Sequence, residues 1–463
     1  MKINSTLFYL EVKNFLRGKI VLWGIFGLIF FGLYSFYHGK SVIGRQKETI
    51  GSISRVQKNH LQHIQQEGKG KSAGTTAYYP FFYTFNNPSS WAAFSIGQRD
   101  VNTFSLKVKI LGIEGHLYDS ELTNPLSLLV GNLDASFVFI FLFPLLIIAF
   151  CYNSISHEQE NGVWKIVRTS SRQTSTVIFS KLLVRFVLII ATSLIIFLIS
   201  AVYLNLPLSI PTFQIGAVLI TYHVFWFLLS VLVISFGKSS SFNATILISI
   251  WIFLCILFPG ISNLLISEQI PVPEALETTV KQREGYHQKW DLPKKPTMET
   301  FYAAYPAYRK YPIPEDKYSS GWYYAMQYAG DVESTQSSAS LFTKLNQRQS
   351  MAETISLFDP VILSQQLLNR IANTDINNHI DYLQSVKRYH KLLREFFYPY
   401  IFEETLTENV AWHAYPKYQP EAYQASPAFA GIAAIMTWSA VLLMVSIGLF
   451  KRNFIIKTSA QNA

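Results

Sequence analysis

Two Gly-Lys-Ser tripeptides, Gly70–Ser72 and Gly237–Ser239, are the nearest approach to nucleotide chemistry in the sequence. A phosphate-binding loop needs another glycine five residues ahead of the Gly-Lys pair, so that backbone amides can cradle the phosphates. Gln65 and Leu232 stand there instead, so neither tripeptide reads as such a loop. His60 and His63 lie at i, i+3, a spacing that puts two metal ligands on one helix face, with Glu67 close by. No His-Glu-x-x-His accompanies them, and the pair reads as a solvated polar face. His379 and His390, with Asp375 and Asp381, form no better ligand pattern, and no Gly-x-Ser-x-Gly elbow occurs. The chain itself is expected to do no chemistry.

Ionisable side chains within long apolar runs carry more information, because each costs free energy there. Arg185 lies one turn past Lys181, within snorkelling reach of the end of its run. Asp134 sits at the start of an apolar run, where it can cap a helix. His223 is near the middle of another run and has two readings: a hydrogen bond to a neighbouring helix, or a residue lining or gating a pathway. Pro259, followed by Gly260, interrupts a further run, a break tolerated where neighbouring helices satisfy the freed backbone groups. Asp134, Arg185, His223 and Pro259 are the candidate pathway or gating residues.

A polar island, Ser156 to Lys181, separates the apolar runs 135–151 and 182–204. It is too short for a domain. Val163, Ile166 and Val167 recur at helical spacing beside Trp164, Gly162 marks a bend ahead of them, and Thr174 or Ser175 can cap the helix that follows. The island therefore reads either as a short amphipathic helix held against a membrane and suited to docking a soluble partner, or as an ordinary basic loop. In the docking reading Glu158 and Glu160 complement the helix dipole, Trp164 anchors the contact, and Lys165 and Arg168 form its rim.

The elements that position these residues follow from the hydropathy pattern. The chain has 463 residues, 50% of them hydrophobic and 15% charged. Apolar runs of about 20 residues predict six spans, near 20–37, 134–152, 177–204, 213–236, 244–266 and 427–450. Residues 1–19 read as an interfacial helix ahead of the first span, and no cleavable leader is recognised. The organisation expected is 1–37 for this helix and the first span, 38–133 for a first extracytoplasmic segment, 134–266 for spans two to five with a cytoplasmic loop at 153–176, 267–426 for a second extracytoplasmic segment, and 427–463 for the last span and a cytoplasmic tail. The predicted class is a mainly α polytopic membrane protein whose large, mostly helical extracytoplasmic domain is built from two insertions.

Within those insertions, 42–66 is expected to be helical, alternation of Phe104, Leu106, Val108 and Ile110 predicts a short strand, Asp359-Pro360 opens a helix, and a second helix runs over 377–397. The net charge of +10 is unevenly spread. The segments assigned to the cytoplasm, 1–19, 153–181, 237–243 and 451–463, hold 12 Lys/Arg and 3 acidic residues, whereas the two large segments balance. That is the positive-inside asymmetry of a multispan protein and argues against a nucleic-acid groove. Cys151 and Cys255 are the only cysteines and both fall in or beside apolar runs, so the large segments must be held by packing.

Six spans with both ends inside, together with the ordered motifs, resemble a bacterial ABC-2 type permease subunit. Glu158, Glu160, Gly162 and Lys181 match that family's element between spans two and three, while Val163 stands where it usually has Thr and Ser171 roughly where it has Pro. Ser95–Asp100, Asn124-Pro125, Gly131 to Asp134, Phe358–Pro360, Ala372–Asp375 and His379 resemble the subgroup carrying the domain of unknown function 3526. The resemblance implies a transport subunit of the bacterial inner membrane, working as an exporter. It implies a separate ATPase chain that binds ATP and Mg, and a second permease subunit, identical or paralogous. A mechanotransmission or scaffold complex acting on an extracytoplasmic partner is the rival reading, and a membrane-anchored external hydrolase, lacking a catalytic constellation, is a third.

Overall fold

The computed structural model describes residues 5–117, 133–170, 174–311, 313–421 and 427–455. Asn124-Pro125, Gly131 and Ser171 therefore lie outside the described residues. Helix α1 (Ser5–Leu16) precedes α2 (Lys19–Glu67), and β1 (Phe82–Phe85) pairs antiparallel with β2 (Ser105–Val108). The segment 135–151 forms α3, and two short helices follow, α4 (Ser156–Glu160) and α5 (Val163–Ser170). Then come α6 (Thr174–Tyr203), α7 (Ile210–Ser235) and α8 (Ser240–Gln269). The second insertion holds α9 (Glu274–His287), α10 (Lys294–Ala304), α11 (Ser320–Ser356), α12 (Pro360–Ile371) and α13 (Ile376–Phe402), and α14 (Phe429–Phe450) closes the chain.

Six of these helices are long and apolar enough to cross a membrane among the described residues: α2, α3 with its extension, α6, α7, α8 and α14. The protein is a mainly α, multi-pass membrane protein. Spans α3 and α7 form the buried centre, and α2, α8 and α14 leave most of their apolar surface outward. The first span does not stop where its apolar run stops. The 49 residues of α2 form one unbroken helix, about 73 Å at 1.5 Å per residue, so the expected helix at 42–66 is the distal part of the same rod. Gly68 ends it, and Gly39 lets it approach the Ala93 carbonyl, which a Cβ there would meet at 2.2 Å.

The distal domain is a second core, separate from that of the spans. Its axis is α11, packed by α9, α10 and α13. α11 has buried residues on several sides, among them Trp322, Tyr324, Met326 and Leu341, so it shows no single apolar stripe. α13 continues through Pro399 to Phe402, beyond the expected end at 397.

The C-terminal end of α11 and the start of α12 re-enter the bundle. The indole of Trp438, nine residues into α14 and so about 14 Å along it, donates to the Leu357 carbonyl at 2.9 Å. Leu367 packs on Gly431, one turn from the top of the same span. Val361, Leu363, Leu367 and Leu368 belong to the core of the spans. Asp359 caps α12 at the tip as its sequence predicts, accepting the Val361 amide at 2.8 Å.

The histidines at 379 and 390 sit on α13 in different surroundings. His390 Nε2 donates to the Leu111 carbonyl at 2.7 Å, and burial holds it well below its usual range. Burial, and then the Arg99 guanidinium, push His379 down to about 4. Unfolding returns it to about 6.5 and takes up a proton, so its contribution is present above pH 6.5 and falls away as pH drops toward 4. The distal domain should lose about 3 kcal/mol over that window through this group. Melting of His379→Gln against pH should show a shallower acid limb than wild type; an unchanged limb would remove His379 from the account.

Candidate coupling site and intramembrane polar residues

The island is held by its own chain at three points. Glu160 reaches across to the start of α8, where its carboxylate accepts the Ser240 amide at 2.6 Å and the Ser240 hydroxyl at 2.9 Å. Glu158 pairs with Lys181, which also lies 3.3 Å from Glu11 of α1. Arg185, one turn further, is buried: Nε donates to the Phe150 carbonyl at 2.8 Å and Nη1 to the Lys181 carbonyl at 3.0 Å. Its guanidinium lies 5.0 Å over the Phe15 ring, which meets Phe150 edge-on. Arg185 thus ties α1, α3 and α6 together. The acidic pair sits on its own helix, α4, and Glu160 caps α8 instead of complementing the dipole of α5.

Gly162 joins α4 to α5 with φ +74°, the left-handed region, and a Cβ there would meet open space. Its requirement is conformational rather than steric. Trp164 turns inward: it is buried, with its ring edge-on to Phe454 at 6.0 Å. The expectation that it anchors an outside partner is corrected by this packing, because the residues after α14 supply its cover. Val163 and Ile166 face outward instead, 44% and 66% exposed. Lys165 and Arg168 lie on α5, but their side chains fall outside the described ones.

The second group of candidates gathers around a break in α3. Pro144 has no N–H for the carbonyl four residues back, and the turn 138–142 is a π-helix. Three successive carbonyls there receive side-chain donors from other spans. His223 Nε2 meets Phe139 O at 3.2 Å, Tyr222 Oη donates to Ile140 O at 2.7 Å, and Trp251 Nε1 donates to Phe141 O at 3.1 Å. His223 Nδ1 lies 2.9 Å from the Ser193 hydroxyl, and its ring stacks on Phe143 at 4.0 Å. A neutral imidazole with its proton on Nε2 satisfies both contacts, so His223 links α3, α6 and α7. Asp134 caps α3 through Phe137 N at 2.9 Å and also accepts the Ile96 amide at 2.7 Å, fastening the 95–100 turn to the bundle.

Pro259 repeats the arrangement at Pro144. Leu142-Phe143-Pro144 and Leu257-Phe258-Pro259 are the same tripeptide, and each proline lies six residues after the first residue of a π-helix, Val138 or Phe253. The repeat is readable in the sequence as Leu-Phe-Pro within an apolar run, a signal the run-length reading passes over.

Because these contacts lie between spans, their expected magnitudes are modest. An interhelical hydrogen bond in a membrane contributes about 0.6–1.7 kcal/mol. Tyr222→Phe should cost about 1 kcal/mol, whereas His223→Ala also loses a stacked ring and leaves a void, for about 2–4 kcal/mol. Thermal melts in detergent separate the two; equal effects would mean that the His223 stack contributes nothing.

No group of three or more His, Cys, Asp or Glu side chains is gathered as a metal would require among the described residues. Residues 108–263, which hold the island and four of the spans, match the model of the ABC-2 family transporter proteins. Residues 275–421, most of the distal domain, match DUF3526, a domain of unknown function. No curated protein and no solved structure matches the chain. The membrane core is thus similar to the ABC-2 family transporter proteins and the distal helices to DUF3526, in that order along the chain.

Proposed function

We propose that this chain is the membrane subunit of an ATP-driven exporter of the bacterial inner membrane. Its distal domain lies outside the cell's cytoplasm, both termini lie inside, and ATP with Mg is bound by a separate ATPase chain. Two permease subunits, identical or paralogous, each seat one ATPase on α5. The observation that supports this best is the island itself: an amphipathic turn with Val163 and Ile166 outward, clamped to α6 by Glu158–Lys181 and to α8 by Glu160–Ser240. Movement of an ATPase would pass through those clamps to two spans at once.

The charge asymmetry supports the orientation. Ser54→Cys and Gln336→Cys, both exposed on the distal domain, should label with an impermeant maleimide in intact cells, and Ser241→Cys should label only after lysis. The reverse pattern would invert the topology. Transport is tested by co-purifying the ATPase that associates with the chain and reconstituting the pair. A substrate should stimulate ATP hydrolysis and accumulate in inside-out vesicles.

The rigid α2 rod favours a second reading, mechanotransmission. One helix runs from the first span through the distal domain, so tilting the span moves a point about 45 Å away without a hinge. Stimulated hydrolysis with no accumulation of any solute would select it.

A further inference from the structure

We propose that the distal domain carries a docking groove for an extended, acidic, proline-containing segment of an extracytoplasmic protein. The placement outside the cell rests on the orientation proposed above; the groove does not. A cleft of about 820 Å³ lies between the distal third of α2 and the segment 408–418. That segment descends antiparallel to the rod: Glu408 meets Gly70 just past the end of α2, while Tyr418 and Phe85 lie at the Ile50 end. Ile50 to Glu67 is 17 residues of helix rise, about 26 Å, the length of roughly eight residues of extended chain.

The two walls differ in chemistry. Ser54, Lys58, Gln62 and Gln65 recur every three to four residues as one polar stripe of α2, and Lys69 extends it just past the helix end. Facing it are aromatic side chains, Tyr83 and Phe85 of β1 with Trp412, Tyr415 and Tyr418. An aromatic wall opposite amide and ammonium donors is the chemistry that grips a polyproline-II segment, whose carbonyls are all unpaired and whose ordering costs little. Strand addition is closed off, because Gln57 already takes the free edge of β1, accepting Tyr83 N at 2.8 Å and donating to Phe81 O at 3.0 Å.

The charge selects acidic residues in the ligand. Lys58, Lys69, Lys417 and His413 line the groove against one carboxylate, Glu408, which is held by the Gly70 amide at 2.7 Å. Lys58 is nine residues, about 14 Å, from the end of α2 at Glu67, and Lys69 follows in the turn beyond it, a span that corresponds to carboxylates roughly five residues apart in an extended segment. The groove begins some 13 residues beyond the end of the first apolar run, about 20 Å along the rod, so a lipid headgroup in the bilayer does not reach it.

The test uses the full chain in nanodiscs of neutral lipid and fluorescence polarisation of three labelled probes. These are a twelve-residue Glu-Pro-Pro repeat, the same peptide with Gln for Glu, and an oligogalacturonate of similar length. The acidic peptide should bind in the micromolar range, weaken at least tenfold when NaCl rises from 50 to 500 mM, and bind at least tenfold more tightly than its Gln counterpart. The exposed double substitution Lys58→Glu/Lys69→Glu should lower its affinity at least tenfold without changing the melting temperature. Equal binding of both peptides, no binding of the acidic one, or an unaffected double variant would overturn the proposal. Binding of the oligogalacturonate alone would overturn it in favour of an acidic glycan. None of these readouts depends on ATP or transport, so failure here leaves the transport reading standing.

Discussion

Arg394→Met is expected to destabilise the distal domain by about 3–5 kcal/mol, the largest effect of any single substitution in that domain. Arg394 and Asp331 are both buried, and Nη2 lies 2.8 Å from Oδ2. Their importance lies in what they hold between them. Asp331 accepts the amides of Ile113 and Glu114 at 2.9 and 3.2 Å. Arg394 donates to the carbonyls of Ile110 and Leu111 at 3.3 and 2.8 Å. The Gly112 amide goes to Gln327 Oε1 at 3.2 Å. The backbone of 110–114, which follows β2, is therefore satisfied almost wholly by side chains of α11 and α13.

Removing Arg394 leaves a buried carboxylate without its cation and the Ile110 carbonyl without its donor, while the Leu111 carbonyl keeps only His390. Replacing an isolated buried ion pair by apolar residues is often harmless, but here the double change Asp331→Leu/Arg394→Met should not restore stability, because the stranded amides and carbonyls remain. Denaturation followed by tryptophan fluorescence and limited proteolysis gives the measurement. A loss below about 1 kcal/mol for Arg394→Met, or full recovery in the double variant, would show the network to be dispensable.

What could be read in the sequence divides along physical lines. The spans are legible because a bilayer demands about 20 apolar residues whatever the neighbours are. Asp359-Pro360 is legible because its cap is local: the one side-chain bond, to the Val361 amide, spans two residues. The unbroken α2 is not, since the run 20–37 and the polar stretch after it differ in composition while sharing one backbone. α11 is not, since a helix buried on several sides has no stripe to find.

Strand β1 is not legible either, since the strand it pairs with lies 20 residues further on. The island residues are legible as a group but not in their directions. Glu160 meets Ser240, 80 positions on, and Trp164 meets Phe454, nearly 300 positions on. Contacts of that range depend on how six spans assemble. The same holds for His223, whose two partners lie on α3 and α6.

The second large effect is expected at α5. Eight residues are too few for a helix to persist alone, so its orientation is set by the Gly162 bend and by Trp164 packed on Phe454. With Trp164 inward, Val163 and Ile166 fall on one face at i, i+3 and present the apolar surface of the helix. If α5 seats an ATPase, as proposed, these two side chains enter its groove. An aspartate in place of Ile166 would then bury a charge with no partner, and affinity for the ATPase should fall at least thirtyfold, about 2 kcal/mol or more. The melting temperature should stay at the wild-type value, because Ile166 is 66% exposed.

Trp164→Ala should give the opposite signature. It removes a buried ring from the chain's own core, for about 3–5 kcal/mol, and weakens coupling only by loosening α5. Co-purification of the ATPase, its turnover in lipid and thermal melts of both variants distinguish the cases. Should Ile166→Asp and Val163→Asp both retain the ATPase at wild-type affinity, α5 is not its seat, and the clamps at Glu158 and Glu160 serve only to close the end of the bundle.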